Sequence, residues 1–398
     1  MTDPVAISEP VDSPVQHDYA PVTVASSLSI GAGGLLILGI QPILLGGLIE
    51  NGVLNDTSLG WSATIEILSV ALGVFLGPRL LVKNPRLVII VAALLMAFAN
   101  LATPMTAHVD SVLLARGAAG LAEGILVAVA VLVITYSSSP ARISAAFLTV
   151  GAVPQMLMAY MLPAWISPHI GLGAGFAIMG MIGFACAVLA FGVREPLVPD
   201  GVTEVGKLSG SPMVLLSLAT TLVTSSAIGA CWSYADRFGA EIGLSADQVG
   251  VCFTASLVFQ ILAGLVVALV GWRLSFKSAL FGGAVLQIVA VLGLLESRGF
   301  VGMISALSLF GLLWQGCLPF ASDLMVSVDT SRKSAPLVLP LTCLGLSIGP
   351  FVASFFVATG ARSALQVGLW IFVAAAFLYG ILFWRMSQHA GRVAEVAS

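Results

Sequence analysis

The sequence predicts an all-α membrane protein of twelve transmembrane helices, built as two six-helix halves by parallel duplication. Three observations predict it. Of 398 residues, 59% are apolar and 9% charged, with a mean hydropathy of +1.06, whereas soluble domains carry roughly 25% charged residues. Twelve apolar stretches of bilayer-crossing length run along the chain. The two halves also repeat each other at one offset, 190 residues, as between Leu54 and Leu244.

In chain order, residues 1–21 hold Asp3, Glu9, Asp12 and Asp18 and no lysine or arginine. That is not the basic start of a signal peptide, and a disordered cytoplasmic tail is expected. Spans at 22–48, 57–78, 87–105, 110–137, 143–166 and 172–193 form an N-terminal half, 22–193. Residues 194–211, "REPLVPDGVTEVGKLSGS", are the one long polar internal break and form a central cytoplasmic loop. Spans at 213–235, 246–271, 277–296, 300–326, 336–358 and 364–386 form a C-terminal half, 212–386, and 387–398 are a second cytoplasmic tail. The repeat is clearest where spans two and eight begin. There "GVLNDTSLG" (52–60) aligns with "IGLSADQVG" (242–250), placing the helix-capping residues Asn55 and Ser245, and then Gly60 and Gly250, in register. Lys83 falls on Arg273, and "RISAA" (142–146) on "RKSAP" (332–336). A substrate path is expected between such halves.

Charge sets the orientation. With the amino terminus cytoplasmic, Arg79, Lys83, Arg86, Arg142, Arg194, Lys207, Arg273, Lys277, Arg332, Lys333, Arg385 and Arg392 lie inside, and Arg237, Arg298 and Arg362 outside. That asymmetry follows the positive-inside rule and puts both termini in the cytoplasm of a multi-pass protein of the cell (inner) membrane.

The charges that break the pattern are inside spans. Arg116 and Glu123 in "LLARGAAGLAEGILVAVAVLVITY" (113–136) are seven residues apart and face the same way. Each is disfavoured by roughly 2.5–3.5 kcal/mol at a helix centre. Glu66 in "WSATIEILSV" (61–70) lies at the depth of Glu123, near the midplane. At the 190 offset the second half has Ser256 and Leu313 for the glutamates and Ala306 for Arg116, so buried charge is expected only in the first half. The second half offers Trp232, Tyr234, Gln260, Gln287, Trp314 and Gln315 for stacking and hydrogen bonding. Arg116 fits a structural pair, a contact to a substrate anion, or control of a nearby carboxylate. A carboxylate that moves relative to a guanidinium takes up and releases a proton, which makes Glu123 first and Glu66 second candidate for coupling. Gln41-Pro42, Tyr160, Trp314 and Gln315 are candidate path-lining residues, with packing an equal reading for each. Asp236 and Asp323, near helix ends, are expected to be solvated. Gly120 and Gly124 form a small-residue pair for close helix approach.

These features resemble the major facilitator superfamily over nearly the whole chain after the tail. The resemblance rests on the six-plus-six plan, the central loop, the "L-[NS]-x-x-x-[LV]-G" start of spans two and eight, and R-x-x-x-G in span four, Arg116 and Gly120. Gly151 with Pro154, and Gly349-Pro350, match more loosely. In "GPRLLVKNPR" (77–86) Gly77 and Arg86 are kept, but Leu81 stands where the family places an acid. The resemblance implies alternating access by rocking of the halves.

The expected function is secondary active transport of a small organic solute, coupled to protons through Glu66, Arg116 and Glu123, with Gln41, Trp314 and Gln315 on the path. One arginine suggests an organic or aromatic carboxylate; two glutamates suggest equally a cationic or lipophilic compound exported by antiport. A receptor or scaffold with a transporter fold is the reading of another class. An enzyme is not expected. "GLSIG" (345–349) matches a serine-hydrolase pattern but lies mid-helix, and His17, His108, His169 and His389 are all in tails or loops. "NDT" (55–57) matches a glycosylation sequon but abuts the membrane. Cys186, Cys231, Cys252, Cys317 and Cys343 lie in apolar stretches as packing residues. No cofactor, metal or nucleic acid is expected, and the chain is expected to act as a monomer in the lipid bilayer.

Overall fold

The computed structural model describes residues 17–171, 173–198, 210–329, 334 and 337–397, with the side chains of 140, 141, 145, 148, 149, 268, 270, 272 and 389–397 left aside. The expectations for Lys207, Arg332, Lys333 and the "RKSAP" repeat, and for most of the central loop and the first sixteen residues, lie outside the described residues. So do those for the side chains of His389 and Arg392.

Among the described residues, helices lie at each of the twelve expected positions: α1 (Pro21–Glu50), α2 (Asp56–Leu80), α3 (Pro85–Ala102), α4 (Val109–Tyr136), α5 (Pro140–Met161), α6 (Ala174–Leu189), α7 (Pro212–Glu241), α8 (Ala246–Val270), α9 (Phe276–Leu295), α10 (Phe300–Val328), α11 (Val338–Ser354) and α12 (Ala361–Ala397). Ten are long and apolar enough to cross a membrane, and α5 and the 17-residue α11 complete the set. α5 continues through a widened π turn, Leu162–Ile166, and one further turn, Ser167–Ile170. Among the described residues no strand forms; a single bridge joins His17 and Ser137. Large apolar side chains such as Leu72, Phe98, Val188, Leu269, Val301 and Trp370 stand exposed, as on a surface that lipid covers.

The caps read from sequence form. Asn55 Oδ1 accepts from Ser58 N at 2.8 Å while Ser58 Oγ accepts from Asn55 N at 2.8 Å, and Gln248 Oε1 accepts from Ser245 N at 3.1 Å. On the amino-terminal side the described residues depart from expectation. Residues 17–20 are not a loose tail. His17 N donates to Tyr136 O at 2.8 Å, Tyr19 Oη donates to Leu197 O at 2.8 Å, and Ala20 N donates to the Glu195 carboxylate. Burial, then the nearby Tyr136 and Glu195, push the Tyr19 hydroxyl up to about 12, so it stays a donor at neutral pH. At the carboxyl-terminal side the backbone of α12 continues as helix to Ala397.

Glycines set how closely the helices approach. A Cβ on Gly120 would collide with Glu66 O, one on Gly124 with Val70 O, and one on Gly73 would lie 2.8 Å from Gly124 Cα, so α2 and α4 touch backbone to backbone. α7 and α11 do the same at Gly229, Gly345 and Gly349. The aligned pair Gly60 and Gly250 marks two matching seams between the halves: Gly60 on α2 faces Pro350 O and Ser354 of α11, and Gly250 on α8 faces Ala159 O and Pro163 beside α5.

The last turns of α7 tie the halves together. Trp232 Nε1 donates to Leu38 O at 2.9 Å, Tyr234 Oη to Asp56 O at 3.0 Å, and Arg237 Nε to Asp56 Oδ1 at 3.1 Å. Asp236, expected to be solvated, is half-buried with its carboxylate against Gly46 of α1. Asp323 is exposed as expected. Buried charge is not confined to the first half: Asp329, just past α10, is buried and accepts from Ser334 N at 2.8 Å. Among the described residues of the helices, Glu66, Arg116 and Glu123 are the fully buried charges.

Candidate functional site

The close approach of α2 and α4 at Gly120 decides where Arg116 points. One turn before Gly120, its side chain crosses to α2 and Nη1 donates to Glu66 Oε1 at 2.7 Å, both residues at 0% exposure. The partner is thus on the neighbouring helix, not Glu123 on its own. The other Glu66 oxygen accepts from Gln41 Nε2 of α1 at 2.7 Å. α3 supplies what the carboxylate leaves open. Arg116 Nη2 donates to Asn100 Oδ1 at 3.0 Å and to Thr103 Oγ1 at 2.8 Å, and Nε donates to Thr103 Oγ1 at 3.2 Å. Asn100 is held for this by its own bond from Nδ2 to Met96 O at 2.9 Å, and Thr103 by one to Ala99 O at 2.9 Å. Phe176 of α6 lies under the guanidinium, 4.9 Å from ring centre to Cζ, a cation–π contact. Every nitrogen of Arg116 is engaged, so the cation's desolvation is offset on all sides.

Glu123 is different. It is fully buried, and neither carboxylate oxygen is in a hydrogen bond of ordinary geometry; Asn100, already bonded to Arg116 and Met96 O, is the side-chain donor beside it, and Glu66 and Arg116 lie within electrostatic reach. A carboxylate taken from water without full hydrogen bonding or a counter-charge of its own needs a proton or a cation to be accommodated there.

The sequence-derived set therefore divides. Glu66, Arg116 and Gln41 form one bonded group with Glu123 beside it, and Asn100, Thr103 and Phe176 belong to that group although sequence reasoning missed them. An asparagine and a threonine closing an apolar span were the available signal. Trp314 and Gln315 stand on α10, half-buried. Trp314 packs edge-on against Trp232 at 5.4 Å and belongs with Phe253 and Phe310 to an aromatic cluster. That cluster touches α1 where Trp232 bonds Leu38 O, one turn before Gln41. Leu38 O is free for it because Pro42 has no N–H to make the helical bond to that carbonyl. No hydrogen bond joins Gln315 to the Glu66–Arg116 group among the described residues. Tyr160 is 50% exposed.

Packing also corrects the pairing of the halves by one residue in α10. Gly311, not Phe310, meets Ser256 as Gly120 meets Glu66: a Cβ there would lie 2.6 Å from Ser256 O. In that register Leu307 stands for Arg116, and its carbonyl accepts from Ser256 Oγ at 2.8 Å. Trp314, rather than Leu313, stands for Glu123.

No family model matches the sequence, and no curated protein does. Solved structures do, and all of those that follow are transporters of the major facilitator superfamily, so the chain has the major facilitator fold. A mutant of the nucleoside transporter NupG superposes with a TM-score of 0.77 at 10% identity, over 91% of this chain and 100% of that one. A bacterial homologue of the human lysosomal transporter Spinster, inward-facing and unoccupied, gives 0.70 at 13% over 91% and 95%. A D-xylose–proton symporter gives 0.70 at 14% over 90% and 97%. At these identities the likeness is one of fold.

Proposed function

We propose that this chain is a secondary active transporter that moves a small organic solute by alternating access, coupled to protons through Glu123. The carrying observation is the contrast inside the first half: Glu66 and Arg116 compensate each other, whereas Glu123, fully buried beside them, has no counter-charge of its own and no hydrogen bond of ordinary geometry. A proton that arrives and leaves at Glu123 changes the charge of the group by one while the ion pair persists as its fixed frame. The fold supports the transport class, and a proton-coupled neighbour fits the coupling. The basic loops and both termini then face the cytoplasm, with the protein working as a monomer.

The substrate reading shifts with the geometry. Arg116 is engaged by Glu66, Asn100, Thr103 and Phe176, which leaves no planar donor pair for a substrate carboxylate. Two carboxylates against one guanidinium favour the second reading, a cationic or lipophilic solute that displaces the proton from Glu123 and stacks on the Trp232–Trp314 cluster.

The test begins with a thermal-shift panel on purified protein, including nucleosides and D-xylose beside organic cations, since a ligand of the folded state raises apparent stability. The selected solute is followed in proteoliposomes under an imposed pH gradient. Glu123→Gln is expected to keep solute exchange and lose uphill accumulation. Proton-driven accumulation undiminished in Glu123→Gln, Glu66→Gln and the double variant overturns the coupling role. Absence of any flux in the wild type favours a receptor or scaffold.

A further inference from the structure

We propose that the crevice between α9 and α12 holds one acyl chain of an anionic phospholipid, whose headgroup is bound by Lys277 and Arg385. The crevice has a volume of about 510 Å3 and is lined by Phe281, Ala376, Phe377, Gly380, Ile381 and Trp384. Phe281, Phe377 and Trp384 are 44%, 68% and 60% exposed, so it opens sideways from the helix bundle rather than toward the interior. Both walls belong to helices long and apolar enough to cross a membrane. Residues 376 to 384 cover about 12 Å of helix, most of the roughly 15 Å depth of one leaflet's hydrocarbon. Its dimensions match a chain lying along the helices within a single leaflet.

Charge selects the headgroup. Lys277 is one turn before Phe281 on α9, and Arg385 follows Trp384 on α12. The contact of Phe276 with Phe383, 6.2 Å between ring centres, brings those two helix ends together. Among the described residues neither Lys277 nor Arg385 is in an ion pair. Asp323, an acidic side chain on this part of α10, lines an adjoining crevice with Ser275, Phe276 and Phe320, and among the described residues it is in no ion pair with Lys277 or Arg385. The matching corner of the first half, where α3 begins and α6 ends, has its cation engaged: Arg86 Nε donates to Val193 O at 2.6 Å. Of these two corners, the α9–α12 one combines an open apolar crevice with two cations that, among the described residues, are in no ion pair. The crevice has room in front of Gly380, where a Cβ would still lie 4.0 Å from Phe281 Cε2, so a larger side chain is needed to fill it.

The experiment is native mass spectrometry of the purified full chain with phosphatidylglycerol or phosphatidylcholine of identical acyl chains. The wild type is expected to retain one phosphatidylglycerol with roughly tenfold preference over phosphatidylcholine, from two basic side chains near an anionic surface. Gly380→Leu, which fills the crevice, should lower retention of both lipids at least about tenfold. Gly264→Leu, on α8 where a Cβ meets nothing within 4 Å, should change nothing. Lys277→Gln with Arg385→Gln should keep lipid binding and abolish the preference. Equal retention of the two lipids by the wild type, or undiminished retention by Gly380→Leu, overturns the proposal. Should Gly380→Leu fail to fold, an unchanged preference in the Lys277→Gln/Arg385→Gln protein overturns it alone.

Discussion

The α2–α4 contact of the first half and the α8–α10 contact of the second share a packing device and differ in chemistry. In both, a glycine on the later helix lets it approach a main-chain carbonyl of the earlier one: Gly120 at Glu66 O, Gly311 at Ser256 O. Around that approach the first half builds an ion pair with three polar supports, and the second a hydroxyl bonded to Leu307 O with an aromatic cluster beyond it. The fold therefore does not require the charges. Glycine-mediated packing with one neutral hydrogen bond holds the second such pair of helices, and Glu66, Arg116 and Glu123 are additions that have to be explained by what the protein does.

The comparison can be broken most severely at the ion pair. Arg116→Leu leaves Glu66 buried without its counter-charge and should destabilise the protein by about 3–5 kcal/mol. Combining it with Glu66→Leu, which makes the site as neutral as its counterpart, should recover the larger part of that loss. Chemical unfolding in detergent measures both, and a double variant no more stable than the single one would show that the charges are integral to the packing.

Gly120→Ala and Gly311→Ala sharpen the same comparison at intermediate size. Each forces a methyl against backbone, and each should cost about 1–3 kcal/mol. A large loss at Gly120 with none at Gly311 would separate the two contacts and return the α10 register to Phe310.

The smallest effect is expected between the halves. Asp56 and Arg237 are 33% and 24% exposed, so Asp56→Asn should lower stability by only roughly 0.2–1 kcal/mol. The informative readout is labelling of a cysteine placed at Val53 in an otherwise cysteine-free protein, which should quicken as this end of α2 loosens from α7. Unchanged labelling would assign the hold to Tyr234 and the Gly60 seam.

Much of this was legible in the sequence because it depends on local pattern. Span length, the Asn55 and Ser245 caps, the Gly120–Gly124 approach and the cost of burying Glu66 and Arg116 are properties of single helices or of one repeat. What escaped depends on which helix lies opposite. Asn100, Thr103 and Phe176 become partners of Arg116 only when α3 and α6 pack beside α4. Trp314 replaces Leu313 as the counterpart of Glu123 because the approach in α10 slips by one residue, which a fixed offset cannot reveal. Asp236 looked solvated because its place near a helix end was visible and the facing Gly46 was not. The docking of His17–Ala20 likewise depends on Glu195 and Leu197, far along the chain.

Two carboxylates around one guanidinium also have an electrical consequence. With Glu66 and Arg116 cancelling, a protonated Glu123 leaves the group uncharged, and an ionised one leaves a single negative charge. On the proposed reading, the rearrangement that turns the group from one face to the other is then indifferent to voltage when loaded. When empty it carries one charge through part of the field, worth up to about 2.3 kcal/mol per 100 mV, or roughly a fiftyfold bias. In such an exchange both crossings are loaded, one with solute and one with a proton, so the bias falls on the empty crossing that would uncouple them.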